Sequence, residues 1–224
     1  IDCFEAFTAE SLAAIGGWTV RAGLDFASVR DTNACSFSFT TEAVPQVYTL
    51  TYFWLPEAEA ARQNKVLPYQ RWAADNWIKL TPGEVVDYDT IFADVKALFL
   101  LLGVTRFYYD PLFQAEWLCQ SLENETGAER VEFRPTLVEF GPVVKECERL
   151  LIKHDLRHNG NPVMTWQMGN AKAYSNPNGD KRLIKQKKGD WKKVDGPQAM
   201  LMSLRDITLS DEGSYYDNHD VESF

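Results

Sequence analysis

Nothing in this 224-residue chain is long and apolar enough to span a bilayer. The longest apolar run, ALFLLLGV at 97–104, falls far short of the roughly 20 residues a membrane helix needs. No signal-peptide pattern opens the sequence either, so no membrane partner is expected. There is no GxxxxGK[ST] motif, which excludes the P-loop route to ATP hydrolysis. Cysteine is sparse: Cys3, Cys35, Cys119 and Cys147 are scattered and form no CxxC pair. They are expected to be reduced thiols in a cytosolic-type compartment. Histidine is sparser still, with three residues. His154 and His158 lie four apart, but their surroundings read as a helix end and a loop, and no second cysteine lies near Cys147. A zinc site is therefore not expected. Positive charge is in deficit, with 23 Lys and Arg against 32 Asp and Glu and a net charge of −9. That balance argues against a protein that coats nucleic acid by charge alone.

What is present is bulk. Hydrophobic residues make up 45% of the chain, with 13 Phe, 9 Tyr and 7 Trp, enough for the core of one large domain or two small ones. Charge is segregated. Residues 181–193, KRLIKQKKGDWKK, hold seven Lys or Arg, whereas 206–224 hold only acids among the charged types. A basic segment on an acidic protein says more than the total does.

Residues 18–26 alternate, with Trp18, Val20, Ala22, Leu24 and Phe26 on one face and Arg21, Gly23 and Asp25 on the other. That period of two predicts a strand. Residues 34–40 and 47–55 read as two more strands of an antiparallel meander. Helices are expected at 56–63, 68–76 and, most clearly, 87–103, where an Asp can cap the start and Gly103 stops the end. VTRFYYD is a strand ending at Asp110, and Pro111 opens another helix. RVEFR is a strand, 140–153 a helix, 161–174 is ambiguous, and DGPQAMLMSLRDI is a closing helix. No internal repeat is visible. The order predicts an α/β domain with a mixed sheet, antiparallel early and parallel later.

Three aspartates fall at element ends: Asp25 on the first strand, Asp110 at the close of RFYYD, and Asp195 at the start of the last helix. Each has a structural explanation, as a cap for Asp195 or a turn residue for Asp110. Asp25 is harder to explain that way, because GLDF is not turn sequence. Sites in α/β sheets gather beyond the carboxyl ends of strands. If the first strand and RFYYD are parallel neighbours, their acids meet there. Three ionised carboxylates repel unless divalent cations compensate them. Mg²⁺ and Mn²⁺ favour oxygen ligands and leave room for a phosphate, and two such ions can drive phosphodiester hydrolysis with water as nucleophile and no histidine.

The blocks AGLDFASVRDTNA, LTPGEVVDYDTI, RFYYDP, VEFRPT, RHNGNPVMTWQMGNA and KKVDGPQAMLMSL occur in the order found in large terminase subunits of tailed phages. They resemble the C-terminal nuclease domain of the HK97-like branch, over residues 18–205. The resemblance implies a ribonuclease-H-like (retroviral-integrase-like) fold, a mixed central sheet flanked by helices. It implies metal-dependent cleavage of double-stranded, concatemeric phage DNA during packaging, with two divalent cations, Mg or Mn. It places the metal-binding and catalytic acids at Asp25, Asp110 and Asp195, and Asp31 matches a further acid of several relatives. The implied partners are double-stranded DNA, the terminase ATPase domain of the same polypeptide, the small terminase subunit and the portal. The implied location is the host cytoplasm, transiently at the procapsid portal.

No block corresponds to the packaging ATPase, so residues 1–17 are expected to be a linker remnant, 18–208 the nuclease domain and 209–224 a flexible acidic tail. Arg182, Lys185, Lys187, Lys188, Lys192 and Lys193 are the candidates for gripping the DNA backbone, with a solvated hairpin as the plainer account of the same run. His158, with Asn159 and Asn161, is a weaker candidate for DNA contact. The rival functions are a junction resolvase of the same fold, a non-catalytic docking domain whose acids are caps and turns, and a carboxylate-pair glycoside hydrolase.

Overall fold

The computed structural model describes residues 7–26, 29–63, 66–111, 116–177, 181–184 and 192–207. In chain order the elements are α1 (Ala9–Ile15), β1 (Thr19–Asp25), β2 (Asn33–Thr41), β3 (Val44–Pro56), α2 (Glu57–Gln63), α3 (Tyr69–Ala74), β4 (Lys79–Thr81) and α4 (Tyr88–Leu102). There follow β5 (Arg106–Tyr109), α5 (Glu116–Thr126), β6 (Glu129–Glu132), α6 (Leu137–Ile152), β7 (Leu156–His158), α7 (Pro162–Asn170), β8 (Lys172–Ser175), β9 (Lys181–Ile184) and α8 (Asp195–Ser203). Among these, no helix is long and apolar enough to cross a membrane.

The main sheet runs β4-β3-β2-β1-β5-β6, with β7 paired to the same edge of β3 as β4. The β1-β2-β3 meander is antiparallel and β1-β5-β6 parallel, as the residue pattern predicts. Sequence reading passed over α1, β4 and β7, all short. Helix α1 is built by a reciprocal cap between Thr8 and Ser11, inside the stretch expected to be linker. Past Pro111, where a helix is expected to open, residues 112–115 lie outside the described residues, and α5 is described from Glu116.

One sheet face carries α1, α4 and α5. There Val20, Ala22, Leu24 and Phe26 meet Ile91, Val95, Phe99, Leu118 and Leu122 in one buried cluster. Asp87 caps α4 by accepting from the Thr90 amide at 3.0 Å, and Gly103 ends it at φ 63°. The opposite face carries α6, α7 and α8. The face of β1 bearing Arg21, Gly23 and Asp25 looked polar by pattern, but it is covered. Gly23 and Asp25 are both buried, because α8 lies directly on them.

Candidate metal centre at the sheet edge

The seat of α8 sets the geometry. A Cβ on Gly23 would run into the Ala199 carbonyl and stand 2.7 Å from Ser203 N and 2.8 Å from Met202 Cβ. Only glycine lets helix and strand approach so closely. The C-terminal end of the helix is tied to the strand beginnings. Asp206 pairs with Arg21 and with Arg106 at 3.4 Å and accepts from the Tyr108 hydroxyl. Ser38 donates to the Ser203 carbonyl at 2.5 Å. Burial pushes the Asp206 carboxyl up, but the Tyr108 hydrogen bond and the Arg21 and Arg106 charges outweigh it and hold it below its usual range. The same burial, with Asp206 alongside, pushes the Tyr108 phenol well up.

The helix therefore runs antiparallel to β1, and its N-terminus lies over the strand's carboxyl end. Strand rise of about 3.3 Å and helix rise of about 1.5 Å per residue carry the two elements over similar lengths between these anchors. At that end Gly196 abuts the Phe53 ring, where a Cβ would stand 2.6 Å from Cζ. Phe53 is the cross-strand partner of Ala34, and Ala34 of Asp25. Asp195 therefore stands at the level of Asp25.

Asp110 arrives by register. Strands β1 and β5 pair in parallel from Arg21 opposite Arg106 to Leu24 opposite Tyr109, so the next step sets Asp25 beside Asp110. Arg106 and Tyr108 both face Asp206 on the α8 side. Carried one residue past the end of β5, the alternation brings Asp110 to that side too, as it does Asp25 after Arg21 and Gly23 within β1. The three aspartates thus share one edge and one face. Asp25 is 9% exposed and Asp195 2%, and each has an Oδ2 atom that accepts no hydrogen bond, although both residues make other interactions.

Asp195 is not the helix cap. Val194 occupies that position without a side-chain hydrogen bond. The Gly196 amide donates instead to Oε1 of buried Gln167, on α7, at 2.7 Å. Asn161 caps α7, accepting from Val163 N at 2.9 Å while donating to the Thr51 and Trp77 carbonyls. It is held structurally rather than offered to DNA. His158 Nδ1 accepts from the Gly160 amide at 3.1 Å. A cavity of about 470 Å³ between β3, β7 and α7, lined by His158, Asn159, Met164 and Met168 among others, contains none of the three acids.

Asp31 forms an ion pair with Lys193 at 2.6 Å. Beneath it lies Tyr69, fully buried. Burial above all pushes its phenol up; the Thr32 hydroxyl opposes this, and the Asp195, Asp31 and Glu59 carboxylates reinforce it. Tyr69, Thr32 and Gln167 are support residues that sequence reading missed. Their residue types carry no motif, and only the packed fold brings them under the acids.

Of the basic candidates, Lys185, Lys187 and Lys188 lie outside the described residues. Arg182, on β9, donates to the Pro135 carbonyl at 3.1 Å, and its neighbour Lys181 pairs with Glu148 at 2.7 Å. Lys192 is half-buried just before α8. The three described cysteines, Cys35, Cys119 and Cys147, are free and buried. Among the described residues, no three His, Cys, Asp or Glu side chains already form a group able to hold a metal ion.

The strand order β3-β2-β1-β5-β6, antiparallel through the meander and parallel from β1 to β6, with helices on both faces, is the ribonuclease-H-like arrangement. The family described as "Terminase large subunit, endonuclease domain" matches residues 8–211, and the chain belongs to it. It is 28% identical over 191 residues to the large terminase subunit of Enterobacteria phage HK97, covering 82% of this chain and 36% of that protein. It is 25% identical over 209 residues to protein YmfN of Escherichia coli strain K12, covering 89% of this chain and 45% of that protein. The chain thus spans less than half the length of either relative. The crystal structure of the HK97 large terminase superposes with a TM-score of 0.72 at 24% identity, covering 90% of this chain and 43% of that one. The large terminase nuclease of thermophilic phage G20c with bound magnesium gives 0.50 at 11% identity, covering 83% and 80%. These two likenesses establish the fold.

Proposed function

We propose that this domain is a metal-dependent endonuclease that cuts double-stranded, concatemeric DNA during genome packaging, using two divalent cations. The observation that carries the reading is the register of β1 and β5, which sets Asp25 beside Asp110 under the N-terminus of α8, where Asp195 begins the helix. The donor set fits hard divalent ions, being carboxylate oxygen throughout. Magnesium bound to the G20c nuclease supports the same choice. Bound there, such ions would supply an activated water and charge stabilisation for the leaving 3′ oxygen.

The chain's own residues do the rest. Asp25 and Asp110, on paired strands, would hold the ions between them, and Asp195 would complete one shell from the helix. The backbones that carry Asp25 and Asp195 are fixed relative to each other by the Gly23 contact, and those of Asp25 and Asp110 by β pairing. Lys192, Lys193 and the segment between β9 and α8 would hold the DNA backbone without reading bases. The ATPase domain, the small subunit and the portal are partners of the whole terminase, acting in the host cytoplasm and at the procapsid.

The test is plasmid nicking with Mn²⁺. Asp25→Asn, Asp110→Asn and Asp195→Asn should each lower cutting at least about a hundredfold while melting cooperatively. Cutting at the wild-type rate by all three would refute the assignment. The docking-domain reading draws on the lack of a preformed metal group among the described residues, and it predicts no metal-dependent cutting at all. Preference for a four-way junction over linear duplex would favour the resolvase.

A further inference from the structure

Lys193 departs from the role its place in the basic run suggests. Its ammonium sits 2.6 Å from Asp31 Oδ1, with only 15% of the lysine side chain exposed and 30% of the aspartate's. The lysine backbone is held as well, its carbonyl accepting from Asn170 Nδ2 at 3.2 Å. Asp31 Oδ1 also accepts from the Thr32 amide at 2.8 Å. The pair thus ties the β1–β2 loop to the residues that enter α8, across the edge where Asp25 and Asp195 lie. Both Asp31 and Asp195 act on the Tyr69 phenol, so these two carboxylates share one neighbourhood.

Four carboxylates along one edge repel, and a neighbouring cation lowers that repulsion. We propose that Lys193 is the resident counter-cation of the acidic edge: it holds Asp31 in the metal-free domain, and a divalent cation gains Asp31 only by displacing it. This rests on the reading of the edge as a metal site. The exchange also orders two events. Metal entry releases an ammonium two residues from Asp195, where a DNA phosphate drawn to the ions would meet it. The lysine therefore serves the acids first and the phosphate second, and the site offers its free cation only when loaded.

Two measurements on the 224-residue chain test this. In the first, Mn²⁺ binding is followed by titration calorimetry at fixed salt. Lys193→Gln should bind about tenfold more tightly, the scale on which one adjacent charge shifts a carboxylate. Lys193→Arg should keep wild-type affinity, and in an Asp31→Asn background Lys193→Gln should change affinity less than about twofold. In the second, amine acetylation of the wild-type chain is mapped by mass spectrometry. Lys193 should be protected without metal and react several-fold faster with Mn²⁺, a readout that needs no variant to fold.

Unchanged or weaker Mn²⁺ binding by Lys193→Gln, or Lys193 reactivity unaffected by Mn²⁺, overturns the proposal. If Mn²⁺ binding and Lys193 reactivity follow the expected pattern but plasmid is not cut, the nuclease reading falls alone. If cutting depends on metal and Lys193→Gln binds like wild type, the counter-cation role falls alone. No Mn²⁺ binding by any variant overturns both.

Discussion

Gly23→Ala places one methyl group where the structure has no room. The new Cβ would stand 2.7 Å from Ser203 N and 2.8 Å from Met202 Cβ, and would overlap the Ala199 carbonyl. Ordinary contact begins at roughly 3.5–4.0 Å, so α8 must retreat by about 1 Å or the strand must bend. The obstructing atoms include two of the helix backbone, which no rotamer change can move aside. Overpacking of this kind costs about 1–3 kcal/mol, occasionally more, and a rigid backbone obstacle puts this case at about 3 kcal/mol. For a domain of this size that lowers the melting temperature by about 6–12 °C. The retreat also carries Asp195 away from Asp25, so Mn²⁺-induced thermal stabilisation should shrink in the same variant. Circular dichroism melts with and without Mn²⁺ read both effects. A variant that melts within about 2 °C of wild type would refute the close approach of α8 to β1 and, with it, the placement of Asp195.

Asp206 supplies a pH test. Its folded carboxyl lies below the usual range, so it contributes stability that is present above the unfolded value near 4 and lost as pH falls through the folded one. Asp206→Asn should therefore cost about 2 kcal/mol at pH 7 in urea titrations, and its deficit should narrow below about pH 4; a constant deficit would refute the linkage. The buried thiols give a third check. Burial holds the Cys35 and Cys119 thiols well above their usual value and that of Cys147 at about 12, so native alkylation mapped by peptide should leave all three unmodified until denaturant is added. Rapid native labelling of any of them would contradict the packing of β2, α5 or α6.

The sheet was legible where local pattern and tertiary role agree. Alternation marks β1 because its Val20–Leu24 face meets α4 and α5, and the cap and stop of α4 are written in Asp87 and Gly103. The opposite face of β1 was misread as polar, since Arg21 and Asp25 look solvent-facing until α8, some 170 residues later, is laid over them. α7 stayed ambiguous because two of its polar residues point inward: Gln167 is buried to hold the first turn of α8, and Asn170 to hold Lys193. Neither task has a local signature. Strands β4 and β7, three residues each, exist only because β3 is long enough to pair with both along one edge.

Asp25, Asp110 and Asp195 were picked out because each ends or begins an element. That is also why they can converge: a parallel neighbour and an antiparallel helix bring such ends to one edge without any of the three elements bending. The same logic explains why the Asp31–Lys193 pair could not be read ahead. Asp31 lies in a loop and Lys193 in a basic run, and each type is common in its setting. Only the seat of α8, fixed at one end by Asp206 and in the middle by Gly23, decides that the lysine enters the helix beside that loop. On the proposed reading the acids, Lys193 and the helix start act as one unit, and a change that lifts α8 should alter metal affinity and Lys193 exposure together rather than separately.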